Sequence, residues 1–363
     1  MTRFSRISAD SHIIEPADVW TKHIAPKFRD RAPTVKRRDG KDTFFIGDQA
    51  LSTGPGMCRA GKPPGQASDT MEDVYPGAYD PRVRLKEQAK DGVLAEVIYP
   101  SVALRVFSIQ DPALRQACIS AYNDWIADFC RTDPERIKAV GLVDLLDIDA
   151  GIAELRRLRK IGLVGAMITL ASDDPQLFWG TTKDRFWAEA QDLRMPISMH
   201  VVSQTTSIPD LNQVINETFI NFEAQRSFAN MIWGGLFERF PRLKVVSAEN
   251  EAGWVGHFLD RMDHLYGRES RRMIHEYAIK NTGLLPSDYF RRNMAMTFIW
   301  DKSGVAVREW VGVDNLMWSN DYPHDDSSWP NSSKVVEYMF AGVPAADRRK
   351  IEAENAAKLY GFN

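Results

Sequence analysis

The chain is 363 residues long, 44% apolar and 26% charged, the make-up of a globular protein with enough chain for a large core. Its 46 Lys and Arg against 49 Asp and Glu leave a formal net charge of −3, which argues against nucleic acid or an anionic membrane as the main partner. Cys58, Cys118 and Cys130 lack CxxC spacing, the start has no apolar h-region, and no run approaches about 18 apolar residues, so a cytoplasmic protein without a disulfide framework is expected.

Eight short apolar or β-branched segments read as strands: residues 7–13, 94–101, 137–144, 163–170, 196–202, 244–250, 293–300 and 316–322. Several are almost continuously apolar up to a polar C-terminal end, the pattern of parallel strands covered on their outer face. Helical periodicity fills the gaps. Residues 112–131 space Ala117, Cys118, Ala121, Tyr122 and Trp125 as a helix does, and 149–160 is acidic at its start and basic at its end, which suits the helix dipole. Residues 182–193, 211–240, 253–266, 303–311 and 346–360 read the same way. Strands alternating with helices predict a parallel sheet, and eight is the number that closes a (β/α)8 barrel.

The first unit breaks this rhythm, because about 80 residues separate the first strand from the second. Residues 31–77 are rich in Gly, Pro and charge, and Asp39-Gly40 followed by an apolar run predicts a hairpin. In a barrel this insertion would leave from the catalytic face and act as a lid. The chain is read as one domain, 1–363, carrying that insertion.

The candidate chemistry lies at strand ends. Asp10 and His12 alternate at the end of the first strand, so they share a face; a carboxylate and an imidazole in that relation form half of a divalent-metal site or a simple hydrogen-bonded pair. His200 ends the fifth strand, and Asp321 ends the eighth, with His324 three residues on. Together, metal-competent side chains ending strands one, five and eight would converge on one barrel mouth. Glu15 competes with Asp10 as a ligand but follows the strand. His257 and His264 sit seven apart on one helix face away from the mouth, and His23 and His275 have no partner at ligand spacing. Arg105, Phe107, Trp300 and Trp329 lie just after strands and are weaker candidates for binding an aromatic carboxylate.

The start DxHxxEP, PIxxH at Pro196–His200 and SNDYPHxDSxWP at residues 319–330 together resemble the amidohydrolase superfamily. Within it they are most similar to the branch holding aminocarboxymuconate-semialdehyde, resorcylate and carboxyvanillate decarboxylases, whose terminal helix the closing segment 354–361 also resembles. The resemblance implies a distorted (β/α)8 TIM barrel with one divalent ion, zinc or manganese, held by Asp10, His12, His200 and Asp321. Asp10 stands where relatives carry His or Glu. Binuclear members bridge two metals with a carboxylated lysine on strand four; residues 163–170 contain no lysine, which implies a single metal. Decarboxylating relatives carry a histidine at the end of strand six, where this chain has Glu249.

That replacement directs the expectation of reaction type. A carboxylate near the metal can take a proton from activated water, which makes Glu249 and Asp321 catalytic residues of a hydrolase acting on a small aromatic or unsaturated carboxylic compound. The alternative is a metal-dependent decarboxylase of an aromatic or enoic acid, with His324 supplying the proton. A second alternative is a barrel that binds ligand without catalysis. A homodimer is expected, as in relatives.

Overall fold

The computed structural model of the chain describes residues 2–52, 54–170, 176–203, 215, 218–269, 278–279 and 283–363. The apolar runs become the staves of a barrel. They are β1 (Ile7–His12), β5 (Ala95–Tyr99), β6 (Ile137–Leu142), β7 (Gly165–Ile168), β8 (Ile197–His200), β9 (Val245–Ala248), β10 (Met294–Phe298) and β11 (Leu316–Trp318). They form one eight-stranded sheet in chain order, with every neighbouring pair parallel. Each lies inside a segment read as a strand from the sequence. With β5, β7, β8, β9 and β11 buried along their whole length, an apolar run is what their environment requires.

β1 is the exception, being wholly buried although Ser8, Asp10, Ser11 and His12 are polar. Its register against β5 slips between Ser8 and Ser11, the signature of a bulge, and the Ser11 hydroxyl donates to Ser8 Oγ at 2.8 Å. Among the described residues no ladder joins β1 to β11. The seam closes instead through Asp321 N to Asp10 O (3.2 Å) and His12 N to Tyr322 O (2.7 Å), with Ser8 Oγ donating to Asn320 Oδ1 at 3.0 Å and Ser11 Oγ 3.1 Å from the same oxygen.

Helices pack around the barrel. Asp111 caps Pro112–Cys130 by accepting from Ala113 N and Leu114 N, and Asp147 caps Ile148–Ile161, which stops at left-handed Gly162. The helix expected over 211–240 is interrupted: Phe222–Trp233 ends at Gly234-Gly235 before Leu236–Arg239, and its start falls partly outside the described residues. Gly234 has no room for a side chain, since a Cβ would come 2.8 Å from Trp179 Cα, and Gly235 has φ +68°. The helix expected over 303–311 is likewise split into Lys302–Ala306 and Arg308–Val311. No helix among the described residues is long and apolar enough to cross a membrane.

The insertion opens with a three-stranded antiparallel sheet, β2 (Thr34–Arg38), β3 (Lys41–Ile46) and β4 (Gln49–Ser52), one strand more than the expected hairpin. Asp39 and Gly40 both have positive φ (50° and 78°), as a two-residue turn between β2 and β3 needs. The rest of the insertion reaches the C-terminal ends of the barrel strands. Ala60 N donates to Pro323 O at 3.1 Å, the Tyr75 ring packs on Trp329 at 5.1 Å, and Ile14 N donates to Ala78 O at 2.9 Å.

Candidate metal centre

Six side chains named from the sequence, Asp10, His12, His200, Glu249, Asp321 and His324, meet at the C-terminal mouth of the barrel. Asp10 and His12 come from the end of β1, and His200 is the last residue of β8. Glu249 follows β9 and Asp321 follows β11, each with φ +53°. This left-handed conformation is costly for a residue with a Cβ, and strain of this kind concentrates at functional sites. It turns the chain sharply, so that each carboxylate returns over the mouth.

The ligand-type atoms converge. His12 Nε2 lies 3.5 Å from Asp10 Oδ1, 3.3 Å from Glu249 Oε2 and 3.3 Å from Asp321 Oδ1. His200 Nε2 lies 3.1 Å from Glu249 Oε2, 3.7 Å from Asp10 Oδ1 and 3.2 Å from His12 Nε2. In both groups, His12 with Glu249, Asp321 and His324, and Asp10 with His12 and His200, the donor atoms lie within 4.8 Å of one another.

With both imidazoles neutral, hydrogen bonding alone does not satisfy this cluster. His12 Nδ1 faces Pro100 O at 3.0 Å and His200 Nδ1 faces Val201 O at 2.7 Å. A carbonyl only accepts, so each neutral ring keeps its proton on Nδ1 and turns the Nε2 lone pair into the cluster. There it meets carboxylate oxygens that also only accept. Asp10 Oδ1, Glu249 Oε2 and both Asp321 oxygens are buried without a hydrogen-bond donor. Lone pairs directed at one another from three carboxylates and two imidazoles fit a divalent cation, which would offset the charge and take every one of them as a donor.

The titration behaviour carries the same imbalance. Burial disfavours charge on His200, but Asp10 and Glu249 outweigh it and hold the imidazole well above its ordinary value. Burial, then repulsion from Glu249, pushes Asp321 well above the usual carboxylate range. Burial also pushes Glu249 up, but its contacts with His12 and His200 reverse this and hold it well below that range.

A second set of contacts supports the cluster. Thr297 Oγ1, on β10, donates to Asp10 Oδ2 at 2.7 Å and accepts from Glu249 N at 2.9 Å. His324 stacks on His12 with ring centroids 4.0 Å apart, its Nδ1 is 3.1 Å from Asp321 Oδ1, and Ser101 Oγ lies 2.8 Å from its Nε2. Glu15 lies outside the cluster: its carboxylate accepts from Ser101 N, Val102 N and Ala103 N, fixing the loop that carries Ser101.

Glu249, expected beside the ligands as a base, has its Oε2 among the ligand-type atoms, 3.1 Å from His200 Nε2 and 3.3 Å from His12 Nε2. Thr297 and Ser101 were missed, although a threonine interrupting the apolar run of residues 293–300 was a readable signal. His257 and His264 are exposed, and His275 lies outside the described residues. Trp329 is tied down by Nε1 donating to Glu87 O at 3.1 Å, and Trp300 is half exposed.

Comparison with known proteins finds the same fold. The gamma-resorcylate decarboxylase of Rhizobium sp. is 25% identical over 260 residues, covering 66% of this chain and 74% of its own. The crystal structure of an amidohydrolase from Mycobacterium avium subsp. paratuberculosis matches with a TM-score of 0.79 at 19% identity, covering 100% of this chain and 99% of the other. A 5-carboxyvanillate decarboxylase from Novosphingobium aromaticivorans, complexed with manganese and 4-hydroxy-3-methoxy-5-nitrobenzoic acid, matches with a TM-score of 0.70 at 17% identity, covering 99% and 96%. The sequence model of the amidohydrolase family matches residues 79–362, from the helix before β5 to the penultimate residue, and on that match the chain belongs to the amidohydrolase family.

Proposed function

We propose that the chain is a metal-dependent carboxy-lyase that removes CO2 without oxidation from a small aromatic or enoic acid, putting a proton where the carboxylate was. The observation that carries this reading is the position of Glu249. A hydrolase needs a carboxylate free to take a proton from water, and Glu249 points its Oε2 at both imidazole Nε2 atoms, at 3.1 and 3.3 Å, as a ligand does. Decarboxylation needs no such base. The gamma-resorcylate decarboxylase among the relatives and the 5-carboxyvanillate decarboxylase among the structural neighbours support the same class by their names.

Asp10, His12, His200, Glu249 and Asp321 would hold the ion. Five donors, three of them carboxylates, exceed the four of a tetrahedral zinc site and would suit manganese. When bound, the ion supplies a Lewis-acid anchor that holds the acid's oxygens and neutralises charge at the mouth. The chain's own residues manage the proton. Ser101, His324 and Asp321 form a line of groups that can each hold one, running from a hydroxyl at Oγ to the carboxylate that faces the cluster. The proton passes from this line to the carbon bearing the carboxylate, the C–C bond breaks with its electron pair staying on the organic product, and CO2 leaves. The insertion at the mouth would act as a lid that keeps bulk water from competing as the proton source.

Turnover of a panel of hydroxybenzoic and unsaturated acids by the manganese-loaded protein in D2O tests this. The expected result is CO2 release with one deuterium on the carbon that lost it, and Glu249→Gln should lower metal content. Incorporation of 18O from labelled water into a product that keeps its carboxylate would establish hydrolysis instead.

A further inference from the structure

Arg84 lies on the helix Pro81–Lys90 that leads from the insertion into β5, and its side chain is fully buried. A guanidinium has five N–H donors in a rigid fork, and here each has an acceptor. Nε and Nη2 donate to Glu96 Oε1 and Oε2 at 2.6 and 2.8 Å. The other three reach backbone carbonyls: Nη1 to His12 O at 2.5 Å and Gly77 O at 3.3 Å, and Nη2 to Tyr322 O at 3.3 Å.

Those carbonyls are not scattered. His12 is a ligand-type residue at the end of β1, and Tyr322 directly follows Asp321 in the segment that leaves β11. No ladder holds these two strands together among the described residues, and Tyr322 O already accepts from His12 N across the same seam. Gly77 closes the insertion, and a side chain there would come 3.0 Å from Arg84 Cα. A buried ion pair alone adds little stability over apolar residues of the same volume. An ion pair that spends three donors on two strand ends and the exit of the insertion determines geometry.

We infer that Arg84 is a positioning residue for the metal centre: its fork holds the ends of β1 and β11 at the spacing that lets His12 and Asp321 share one ion, and couples that spacing to the end of the insertion. The inference rests on the metal-centre reading above and is independent of the reaction class. Lysine cannot replace the fork, because an ammonium offers three donors from one point.

The test is Mn2+ affinity, measured by competition with a chelator, for wild type, Arg84→Lys and the double variant R84M/E96M. The double variant removes both charges, so no unpaired Glu96 remains to unfold the chain. Expected is a cooperative thermal melt close to wild type, with Mn2+ binding weakened roughly 10–100-fold in the double variant and less in Arg84→Lys. Saturating Mn2+ should restore most of kcat, since the residue acts through the ligands. A folded double variant that binds Mn2+ within about threefold of wild type overturns the inference, because a merely structural ion pair shifts the melt and not the affinity. If the double variant does not fold, Arg84→Lys decides by the same criterion. Wild type that binds no divalent ion refutes the metal-centre reading itself, and this inference falls with it.

Discussion

Thr297→Val is the sharpest probe of how the metal centre is held. Valine matches threonine in shape, and Thr297 is wholly buried on β10, so packing is preserved while two contacts are lost. One is the 2.7 Å bond donated to Asp10 Oδ2, which as a bond to a charged group is worth about 1.5–3 kcal/mol. The other is the 2.9 Å bond from Glu249 N, and leaving that amide without an acceptor costs about 1–3 kcal/mol. Part of this total burdens the metal-free protein equally and does not reach the affinity. Loss of a contact that orients ligands typically weakens binding roughly 10–100-fold, which corresponds to about 1.4–2.7 kcal/mol. Chelator competition with Mn2+ at constant pH reads it directly, and Thr297→Ser, which keeps the hydroxyl, should stay within about threefold of wild type. If Thr297→Val also stays within that range while its melting temperature falls, the hydroxyl is structural only and the reasoning fails.

Further outcomes follow from the same geometry. His324→Gln should lower kcat roughly 10²–10⁴-fold with metal content unchanged, whereas Ser101→Ala should cost only a few-fold, the worth of one bond of about 1 kcal/mol; equal metal loss in both would make them ligand supports instead. Burial pushes Glu15 up to about 7 from an ordinary value of 4.5, against the pull of four backbone N–H donors, its own among them. Its folded form therefore keeps a proton that the unfolded chain has lost, so this contribution to stability is complete below 4.5 and is lost as pH rises through about 7. Thermal melts should show that decline in wild type and a flatter one in Glu15→Gln; parallel slopes would place the titration elsewhere. Deleting residues 54–65 should raise KM and lower kcat while metal content holds, and unchanged turnover would end the lid reading.

The strand pattern was legible because burial on both faces demands a local apolar run, and a run is visible in any sequence. The strand-end residues were legible for a related reason: Asp10, His12, His200, Glu249 and Asp321 each interrupt or follow such a run where an ordinary core would not tolerate charge. What joins them is not local. Thr297 and Asp10 are 287 residues apart, Arg84 and Tyr322 are 238 apart, and neither pairing leaves a periodic trace. The bulge in β1 brings Ser8 and Ser11 together across three positions, where simple alternation would put them on opposite faces. Glu249 shows the division most clearly. The sequence placed a carboxylate at the mouth, but whether it serves as a base or a ligand depends on side-chain direction. That direction is set by a left-handed backbone turn and by two imidazoles whose Nδ1 protons are already committed to Pro100 O and Val201 O, and only the folded chain brings those together.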